Sequence, residues 1–320
     1  MASRKLENGG ISKPENQPKV AIILINYFGE EDTIGCLESL KRISYRNYKI
    51  YLIDNSEPAQ EKLAVLTCDE VMYINSGENL GFAGGNNLGI CKALQDRADY
   101  FLLLNNDTTV DPRFLSEMVE VAESARGIGM VGAKILYYSE PNRIWFAGGR
   151  IDWKRGLTTH IGIDELDSKQ YDATTKTDFV CGCALLVKKE VVEKIGLLDE
   201  DYFLYAEDVD WSARAVRSGY NLVMAPKAQV YHKISRTTGT AQSPLYAYYF
   251  TRNKLLLMKK HQPFFKRLYF YGYFLRNHIW ASIKWWYRKK EANRWARTAA
   301  LFDGMRDYLM HNYGQAKRYH

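Results

Sequence analysis

The chain has 320 residues, 46% hydrophobic and 25% charged, a balance typical of a folded, soluble protein. Five cysteines, none in a C-x-x-C pair, argue against a disulfide frame and predict reduced, mostly buried thiols, with Cys181 and Cys183 packed. No run of about 20 apolar residues occurs, so we predict no membrane-spanning helix.

The net charge of +7 is unevenly distributed. Residues 252–320 hold 16 Lys and Arg against 3 Asp and Glu, a balance of +13, so the other 251 residues carry −6, the difference between +7 and +13. An acidic body followed by a basic, aromatic region predicts an anionic partner for the C-terminal region. Because no nucleic-acid-binding motif accompanies this charge, we do not expect that partner to be nucleic acid.

The N-terminal half predicts alternating strands and helices. Residues 1–18 are polar, and we expect a disordered tail there without a signal peptide. "VAIILINY" (20–27) is a β-branched apolar run without alternation, which is typical of a strand buried on both faces of a parallel sheet. A helix follows it, a second helix is predicted at 88–95, and further strands are predicted at 48–56, 71–77 and 100–107. This order predicts a doubly wound α/β unit.

The C-terminal half of the chain predicts a different pattern of elements. Residues 140–200 indicate shorter strands and turns that lead into a helix. Another helix is predicted at 208–217, with Gly219 as its C-terminal cap and an apolar stripe formed by Val209, Ala213 and Val216. A strand at 221–232 and a loop follow, and the chain after Thr251 is predicted to be helical.

Polar residues follow three of the predicted strands. Asn26 ends the first strand, Asp54 and Asn55 end the second, and the triplet "NND" at 105–107 ends the fourth. Turns favour Asn and Asp without any ligand. In doubly wound sheets, however, ligands bind beyond the carboxyl ends of the strands. Three strands that end in this way favour a shared ligand site.

The glycine-rich stretch "ENLGFAGGNNLG" (78–89) precedes a predicted helix. Glycines at a helix start favour phosphate binding, but a simple turn that caps the helix explains the stretch equally well. Gly81, Gly84 and Gly85 do not form G-x-G-x-x-G, and no P-loop signature occurs. Both absences argue against a nicotinamide enzyme or a P-loop ATPase.

Three acids stand at the predicted start of the 208–217 helix. Negative charge there is favourable in itself, and Asp210 and Arg214 form an i,i+4 pair that needs no function. Alternatively, one of these three carboxylates, Glu207, Asp208 or Asp210, is a general base whose pKa is raised by its acidic neighbours. His232 ends a strand, and together with an Asp at another strand end it could bind a divalent ion, Mn²⁺ more readily than Mg²⁺.

Several stretches resemble family 2 glycosyltransferases, the inverting GT-A group, and especially the bacterial rhamnosyltransferase-like branch that builds surface polysaccharides. They cover roughly residues 19–260 and are "VAIILINY", "YLIDNSE", "ENLGFAGGNN", "LLLNNDTTVDP", "IGLLDEDYFLYAEDVDWSARAVRSGY", "APKAQVYH" and "YYFTRNK". The resemblance implies an α/β, Rossmann-like GT-A domain over 19–251 with a mixed sheet flanked by helices. A basic, aromatic helical region over 252–320 would follow it.

The resemblance also implies roles for matching residues. Asp208 would be the catalytic base, with Glu207 supporting it and Arg214 orienting both acids. Asp107, at the position of the family's D-x-D motif, and His232 would bind a divalent metal, Mg²⁺ or Mn²⁺. The nucleotide-diphosphate sugar would lie against a further set of residues: Asn26, Asp54, Asn79, Gly84, Asn86, Asn105 and Asn106.

Asn105 replaces the first Asp of the D-x-D motif, so it supplies an amide oxygen but no charge. This difference leaves an alternative, a non-catalytic sugar-nucleotide-binding partner in a polysaccharide assembly complex. The intact set of Asp107, Asp208 and His232 favours an enzyme instead. In that enzyme the metal would neutralise the departing diphosphate, and Asp208 would deprotonate the acceptor hydroxyl as it attacks with inversion.

The resemblance favours dTDP-rhamnose as donor, with UDP-hexoses and UDP-galactofuranose as alternatives, and a glycan or lipid-linked glycan as acceptor. "FFKRLYFYGYFLRNHIWASIKWWYRKK" mixes aromatic and basic residues as interfacial helices do. We therefore predict a cytoplasmic protein with peripheral contact at the inner face of the cell membrane. A helical cap or a homodimer contact is the alternative use of this region.

Overall fold

The computed structural model describes three stretches of the chain: residues 17–233, 243–287 and 293–319. The predicted tail at 1–18 lies outside them, apart from Gln17 and Pro18. The carbonyl oxygens of these two residues accept hydrogen bonds from the side chains of Asn47 and Tyr45, respectively. Most of the loop predicted after the 221–232 strand also lies outside the described residues.

Strands and helices alternate in the first part of the chain, as the apolar runs predict. The strands are β1 (Val20–Asn26), β2 (Tyr48–Asp54), β3 (Val71–Asn75), β4 (Tyr100–Asn105) and β5 (Thr108–Val110). The helices are α1 (Glu30–Leu40), α2 (Glu61–Ala64), α3 (Gly81–Gln95) and α4 (Phe114–Glu123).

Short strands follow before the chain becomes helical. The strands are β6 (Ile128–Tyr137), β7 (Ile144–Phe146), β8 (Gly149–Asp152), β9 (Leu157–His160), β10 (Ala184–Lys188) and β11 (Asn221–His232). The helices are α5 (Lys189–Ile195), α6 (Glu207–Arg217), α7 (Pro244–His261), α8 (Phe264–Tyr287) and α9 (Arg294–Leu309).

The main sheet is mixed and has the strand order β3-β2-β1-β4-β10-β6-β11-β5, with β7 paired to β6. Strands β3, β2, β1 and β4 are parallel, so their carboxyl ends share one edge. Strand β10 is antiparallel to β4 and β6, and β5 is antiparallel to β11. A separate hairpin of β8 and β9 stands beside this sheet.

The sheet is buried on both faces, which explains the unbroken apolar run of β1. Ile22 and Leu24 point to one face and belong to the same apolar cluster as residues of α1 and α4. Ile23 points to the other face, where Ile90 of α3 and Trp211 of α6 belong to its cluster. Alternate residues of one strand therefore stabilise two separate helical layers.

Helix α3 begins earlier than we predicted, because the glycine-rich stretch is itself helical. The prediction placed the helix at 88–95, whereas it begins at Gly81. Glycine is unfavourable inside a helix, but here it permits close packing against the sheet. A Cβ atom on Gly85 would lie 3.0 Å from Asn55 Nδ2, and one on Gly89 would lie 2.6 Å from Ile23 Cγ2.

Helix α6 forms nearly where predicted, but its apolar stripe is narrower. Val209 and Ala213 are buried, whereas Val216 is 48% exposed and lies outside the core. Gly219 follows the helix with φ +91°, the left-handed conformation expected of a glycine cap.

The C-terminal helices pack onto the α/β unit. The predicted boundary between residues 251 and 252 falls inside α7, which is continuous there. Helix α9 approaches α7 closely, since a Cβ atom on Gly304 would lie 2.7 Å from the Tyr248 carbonyl oxygen. Among the described residues, no helix is both long and apolar enough to cross a membrane.

The close approach of α3 to β1 yields a stability prediction. Gly89→Ala places a methyl group against Ile23, which is fully buried and cannot move aside, so we expect a loss of about 1–3 kcal/mol in unfolding free energy. Gly272→Ala is the matched control, because Gly272 lies in α8 with no atom near its missing Cβ. The control should gain up to about 1 kcal/mol from helix propensity. Urea denaturation measures both, and equal effects would contradict the packing explanation.

Candidate active site

A cavity of about 640 Å³ lies where the carboxyl ends of β1 and β4 meet the start of α6 and one face of α7. The β8–β9 hairpin contributes another part of its wall through Thr158 and His160. Asp107, Asp208 and His232, which are far apart in the sequence, all line this cavity. The structure thus brings together the three residues on which the predicted site depends.

The pairing of β5 with β11 brings Asp107 and His232 together. In this antiparallel register His232 lies opposite Thr108, the residue after Asp107. His232 Nε2 is 3.2 Å from Asp107 Oδ1, and both side chains are buried. The Trp145 ring stands edge-on to the imidazole with 4.7 Å between ring centroids, and it fixes one side of the pair.

This pair has the donor chemistry for part of a divalent-metal site. It offers one carboxylate and one imidazole, a combination that suits Mn²⁺. Within the described residues, His232 Nδ1 is buried without a hydrogen-bond partner. No cluster of three or more His, Cys, Asp or Glu side chains with metal-binding geometry occurs in that part of the chain. The protein side chains therefore fit a metal whose remaining ligands come from phosphate oxygens or water.

Glu207 and Asp208 open α6 at the wall of the same cavity. Asp208 Oδ2 accepts a hydrogen bond of 2.8 Å from the Gly182 backbone N–H, and its Oδ1 accepts one of 2.7 Å from Val209. A Cβ atom on Gly182 would lie 2.8 Å from the Phe82 ring, so a glycine is needed for the backbone to pass between Phe82 and Asp208. Cys181, which precedes Gly182, is buried and unpaired, as predicted for a packed thiol.

Both acids have a pKa above that of an ordinary carboxyl, because both are buried. Burial raises the pKa of Asp208, although the N–H donors of Gly182 and Val209 oppose the shift. Burial, together with the adjacent charge of Asp208, raises the pKa of Glu207 further. Glu207 Oε2 is buried with no hydrogen-bond partner among the described residues. Because Asp208 accepts two backbone N–H bonds that favour its charged form and Glu207 Oε2 accepts none, burial favours the neutral form of Glu207 over that of Asp208.

A strained loop places these acids. Phe203, Tyr205 and Ala206 have φ values of 61°, 68° and 74°, a left-handed conformation that non-glycine residues rarely adopt. Two residues of α7, Arg252 and Asn253, hold this loop. Both lie in the "YYFTRNK" stretch, for which the sequence predicted no individual residue role.

The hydrogen bonds that Arg252 and Asn253 donate to this loop, together called the clamp, are short, and both side chains are buried. Asn253 Nδ2 lies 2.7 to 2.9 Å from the carbonyl oxygens of Tyr202, Leu204 and Tyr205. Arg252 is fully buried and donates to the Tyr202 carbonyl at 2.9 Å, and to the Asp201 carbonyl at 3.0 Å. The hydrogen bonds compensate for the unfavourable backbone conformation before α6.

Arg214 differs from our expectation that it orients Glu207 and Asp208. Its Nε donates to Asp210 at 2.7 Å, and its other nitrogens donate to backbone carbonyls at Ile195 and Leu197. Its place four residues after Asp210 directs it along the helix and away from the cavity.

Asp210 is the buried partner that joins α6 to α7. Its Oδ1 lies 2.7 Å from His261 Nε2, and its Oδ2 accepts from Arg214. Burial alone would raise the pKa of Asp210, but the hydrogen bond from His261 and the charge of Arg214 outweigh it and lower the pKa. Arg214 and Asp210 thus fix the helix that carries the two acids.

Asp54 and Asn26 also differ from expectation, since neither lines the cavity. Asp54 is fully buried, and its Oδ1 accepts from Asn26 Nδ2 at 2.8 Å. Its Oδ2 accepts from the Gln60 backbone N–H at 2.7 Å and from the Tyr73 hydroxyl at 2.8 Å. The neighbouring Asn55 lines the cavity instead. In this conformation Asp54 holds the loop after β2.

The other predicted sugar-nucleotide residues divide into two groups. Gly84 does not line the cavity, and a Cβ atom there would meet Leu80 at 3.0 Å. Asn106 does line it, although its Nδ2 donates to Thr33 at 2.8 Å and supports α1. The remaining predicted residues that line the cavity are Asn79, Asn86 and Asn105.

Aromatic side chains and one lysine, none of them predicted as site residues, complete the wall. Tyr205, Tyr246 and Phe250 line the cavity, as does Lys254, with the α7 residues spaced so that they share one face of that helix. Helical spacing within α7 was the signal available in the sequence, but it does not indicate whether that face meets a cavity or the core.

Solved structures with the same architecture identify the fold. GalNAc-T7, solved with UDP, GalNAc and Mn²⁺, has a TM-score of 0.63 at 17% identity, over 93% of this chain and 57% of its own. A mannosyltransferase from Pyrobaculum calidifontis, solved with GDP-Man and Mn²⁺, has a TM-score of 0.57 at 13% identity, over 96% and 92%. At these identities the likeness concerns the fold alone, and it confirms the predicted GT-A class with added C-terminal helices.

Curated relatives cover most of the chain. A low-salt glycan biosynthesis hexosyltransferase of Haloferax volcanii is 26% identical over 240 residues, 74% of each chain. A dTDP-rhamnosyl transferase of Shigella flexneri is 24% identical, over 75% of this chain and 80% of its own. An N-acetylglucosaminyl-diphospho-decaprenol L-rhamnosyltransferase of Mycobacterium tuberculosis is 24% identical, over 72% and 81%.

A family model described as "Glycosyl transferase family 2" matches residues 21–196, more than half of the chain. The chain belongs to glycosyl transferase family 2, and the resemblance drawn from the sequence motifs is confirmed. The protein is therefore a glycosyltransferase.

Proposed function

We propose that this glycosyltransferase is an inverting, metal-dependent enzyme that moves a sugar from a nucleotide-diphosphate donor to a glycan or lipid-linked glycan. The observation that carries the proposal is the common cavity of Asp107, His232, Glu207 and Asp208. Donor phosphates, a metal and an acceptor hydroxyl must meet within a few ångströms during such a transfer, and a single cavity provides that proximity.

Asp208 is the proposed general base. In this proposal Glu207 is the neutral acid and Asp208 is the carboxylate, because the Gly182 and Val209 N–H groups stabilise the charge of Asp208, while burial raises its pKa and makes it a stronger proton acceptor. It removes the proton of the acceptor hydroxyl as that oxygen bonds to the anomeric carbon and the bond to the donor diphosphate breaks. The new bond forms opposite the leaving group, so the configuration inverts, and the proton stays on Asp208.

Asp107 and His232 are the proposed metal ligands, and Asn105 stands beside them on the cavity wall. A bound Mn²⁺ or Mg²⁺ supplies charge neutralisation for the departing diphosphate. Trp145 and the strand register hold the two ligands in place before any metal binds. Asn105 brings an amide oxygen without charge, so Asp107 provides the negative charge of this motif.

The proposed donor is dTDP-rhamnose, with UDP-sugars as the alternative, and its nucleotide lies at the sheet edge. Two relatives are named as rhamnosyl transferases, which supports the choice of sugar. Asn55, Asn79 and Asn86 line the cavity near the ends of β2 and β3 and offer amide groups to a base or ribose. Asp54 reaches a nucleotide only if its bonds to Gln60 and Tyr73 open.

Replacement of each acid by its amide tests which of the two is the base. Asp208→Asn should lower the rate of sugar transfer at least about a hundredfold, because general-base catalysis is lost. Binding of the donor, measured by calorimetry, should persist. Glu207→Gln is the matched control, since the amide imitates a protonated carboxyl and should retain a substantial part of the turnover. The reverse order of activities would contradict the assignment.

Removal of Asp107 tests the metal site by a binding measurement. Asp107→Ala should weaken Mn²⁺-dependent binding of UDP or dTDP at least about tenfold, since a direct ligand is lost. Asp32→Ala is a suitable control, because Asp32 is a nearby carboxylate that pairs with Lys233 at 2.9 Å outside the cavity. Binding that depends equally on Mn²⁺ in both variants would contradict the role of Asp107.

We further propose that the outer face of α8 contacts an anionic membrane at the inner face of the cell. Phe270 and Phe274 point inward and are buried. Phe265 and Trp280 point outward with 82% and 59% of their surface exposed. Lys266, Arg267 and Arg276 add positive charge to the same helix. Aromatic side chains with neighbouring basic groups favour the interface of an anionic bilayer.

Vesicle flotation tests this contact. The protein should float with vesicles that contain phosphatidylglycerol and not with pure phosphatidylcholine, and the double change Phe265→Glu with Trp280→Glu should remove most of the binding. Val65→Glu is the control, because Val65 is 79% exposed at the end of α2 and not on α8. Absence of flotation would contradict the proposal. A dimer in light scattering that the double change abolishes would support the homodimer contact instead.

A further inference from the structure

A continuous aromatic strip leads along the cavity wall to a single ammonium group. Tyr205 stands edge-on to Tyr246 with 5.2 Å between ring centroids, and Tyr246 stacks on Phe250 at 5.1 Å. Lys254 Nζ follows at 5.3 Å from the centroid of the Phe250 ring. All four side chains line the cavity. An apolar surface therefore ends in a positive charge inside the proposed active site.

Lys254 is the one lysine or arginine among the described residues that line this cavity, where Asp107, Glu207 and Asp208 are the carboxylates. Among the described residues its ammonium group has no carboxylate within ion-pair distance, unlike Lys260 and Lys134, which each contact two. A partly buried ammonium without such a partner is costly for the folded protein. An anionic ligand would offset that cost.

We propose that Lys254 and the aromatic strip form an acceptor subsite, in which the ammonium group binds the diphosphate that joins an acceptor sugar to a lipid. The inference deepens the proposed function and rests on it, because it assigns the second substrate of the same transfer. The donor diphosphate requires a cation as well, and the Asp107–His232 pair is placed to provide one through a metal. Lys254 supplies the cation for a second anion from a different element.

The surroundings of Lys254 suit the lipid part of such an acceptor. Leu257 lies one turn further along α7, and Leu245 precedes the strip, so aliphatic groups border the rings. Phe250 is 36% exposed and Ile163, on the cavity wall, is 46% exposed, so the apolar surface continues outward. A prenyl chain can leave the cavity along these side chains while its diphosphate remains at Lys254.

Binding of farnesyl diphosphate to the full chain without divalent metal tests the subsite independently of turnover. Isothermal calorimetry should show binding to the wild type, at least about tenfold weaker binding to Lys254→Met, and near wild-type binding to Lys254→Arg. Farnesol, which has no charge, should bind both variants equally. Because no sugar transfer is measured, failure of this binding and failure of the proposed transferase reaction are separate results.

Binding of dTDP and UDP with Mn²⁺ distinguishes the acceptor diphosphate from the donor diphosphate. Lys254→Met should leave the affinity for both nucleotides unchanged within about twofold, since they depend on Asp107 and the metal. An equal loss for nucleotides and farnesyl diphosphate would assign Lys254 to the donor and overturn the proposal. Unchanged farnesyl diphosphate binding in Lys254→Met would overturn it as well.

The pH dependence gives a readout that a merely structural role would not change. Burial lowers the pKa of Lys254 to about 8, so its charge is present below that pH and is lost above it. Affinity of the wild type for farnesyl diphosphate should fall as the pH rises through about 8, whereas that of Lys254→Arg should not, because arginine stays protonated. Both proteins retain the other titratable side chains of the cavity: Tyr27, Asp107, His160, Cys181, Cys183, Tyr205, Glu207, Asp208, His232, Tyr246 and Tyr319. Identical pH profiles would contradict the subsite.

Discussion

The hydrogen bonds of Arg252 and Asn253 to the loop before α6 are the constraint on which the candidate active site depends. Three non-glycine residues of that loop are left-handed, at a cost of about 1–3 kcal/mol each. A loop with this backbone would relax if its carbonyl oxygens were not held by buried donors. Relaxation would change the first turn of α6 and move Glu207 and Asp208 relative to the sheet edge. The strain is thus tied to the placement of the proposed base, and it is balanced by α7, an element outside the loop.

Helix α7 consequently belongs to the site, although the family model ends at residue 196. The helix contributes Asn253 to the clamp and Lys254 to the wall, two adjacent residues with different tasks. His261 at its end joins Asp210 of α6, so the same pair of helices is fixed at two points. A division of the chain at residue 251 would separate these contacts. Among the described residues, the α/β unit and α7 are therefore joined by buried hydrogen bonds at the wall of the cavity.

The sequence predicted the parts of the fold that depend on local pattern and missed those that depend on packing. The apolar runs of β1, β2 and β4 and the acids of α6 stand where expected, because burial on both faces and helix-start chemistry leave clear local signals. The start of α3 does not stand where the sequence predicted it. Glycines that allow contact with Ile23 cannot be distinguished from turn glycines in a sequence. The exclusion of Asp54 from the cavity depends on Tyr73 and Gln60, which reach it from a neighbouring strand and loop. Such bonds have no periodicity that a sequence displays.

Charge explains how one cavity can serve two anionic substrates and a base. A carboxylate that must accept a proton cannot itself lie against a strong cation, since an adjacent positive charge would lower its pKa and weaken it as a base. Here the proposed base is bonded to the backbone N–H groups of Gly182 and Val209, and burial keeps its pKa raised. The proposed metal ligands His232 and Asp107 stand on β11 and in the β4–β5 turn, and Lys254 stands on α7. In the proposed reaction, cations on elements other than α6 would each neutralise a diphosphate while Asp208 keeps its affinity for the acceptor proton.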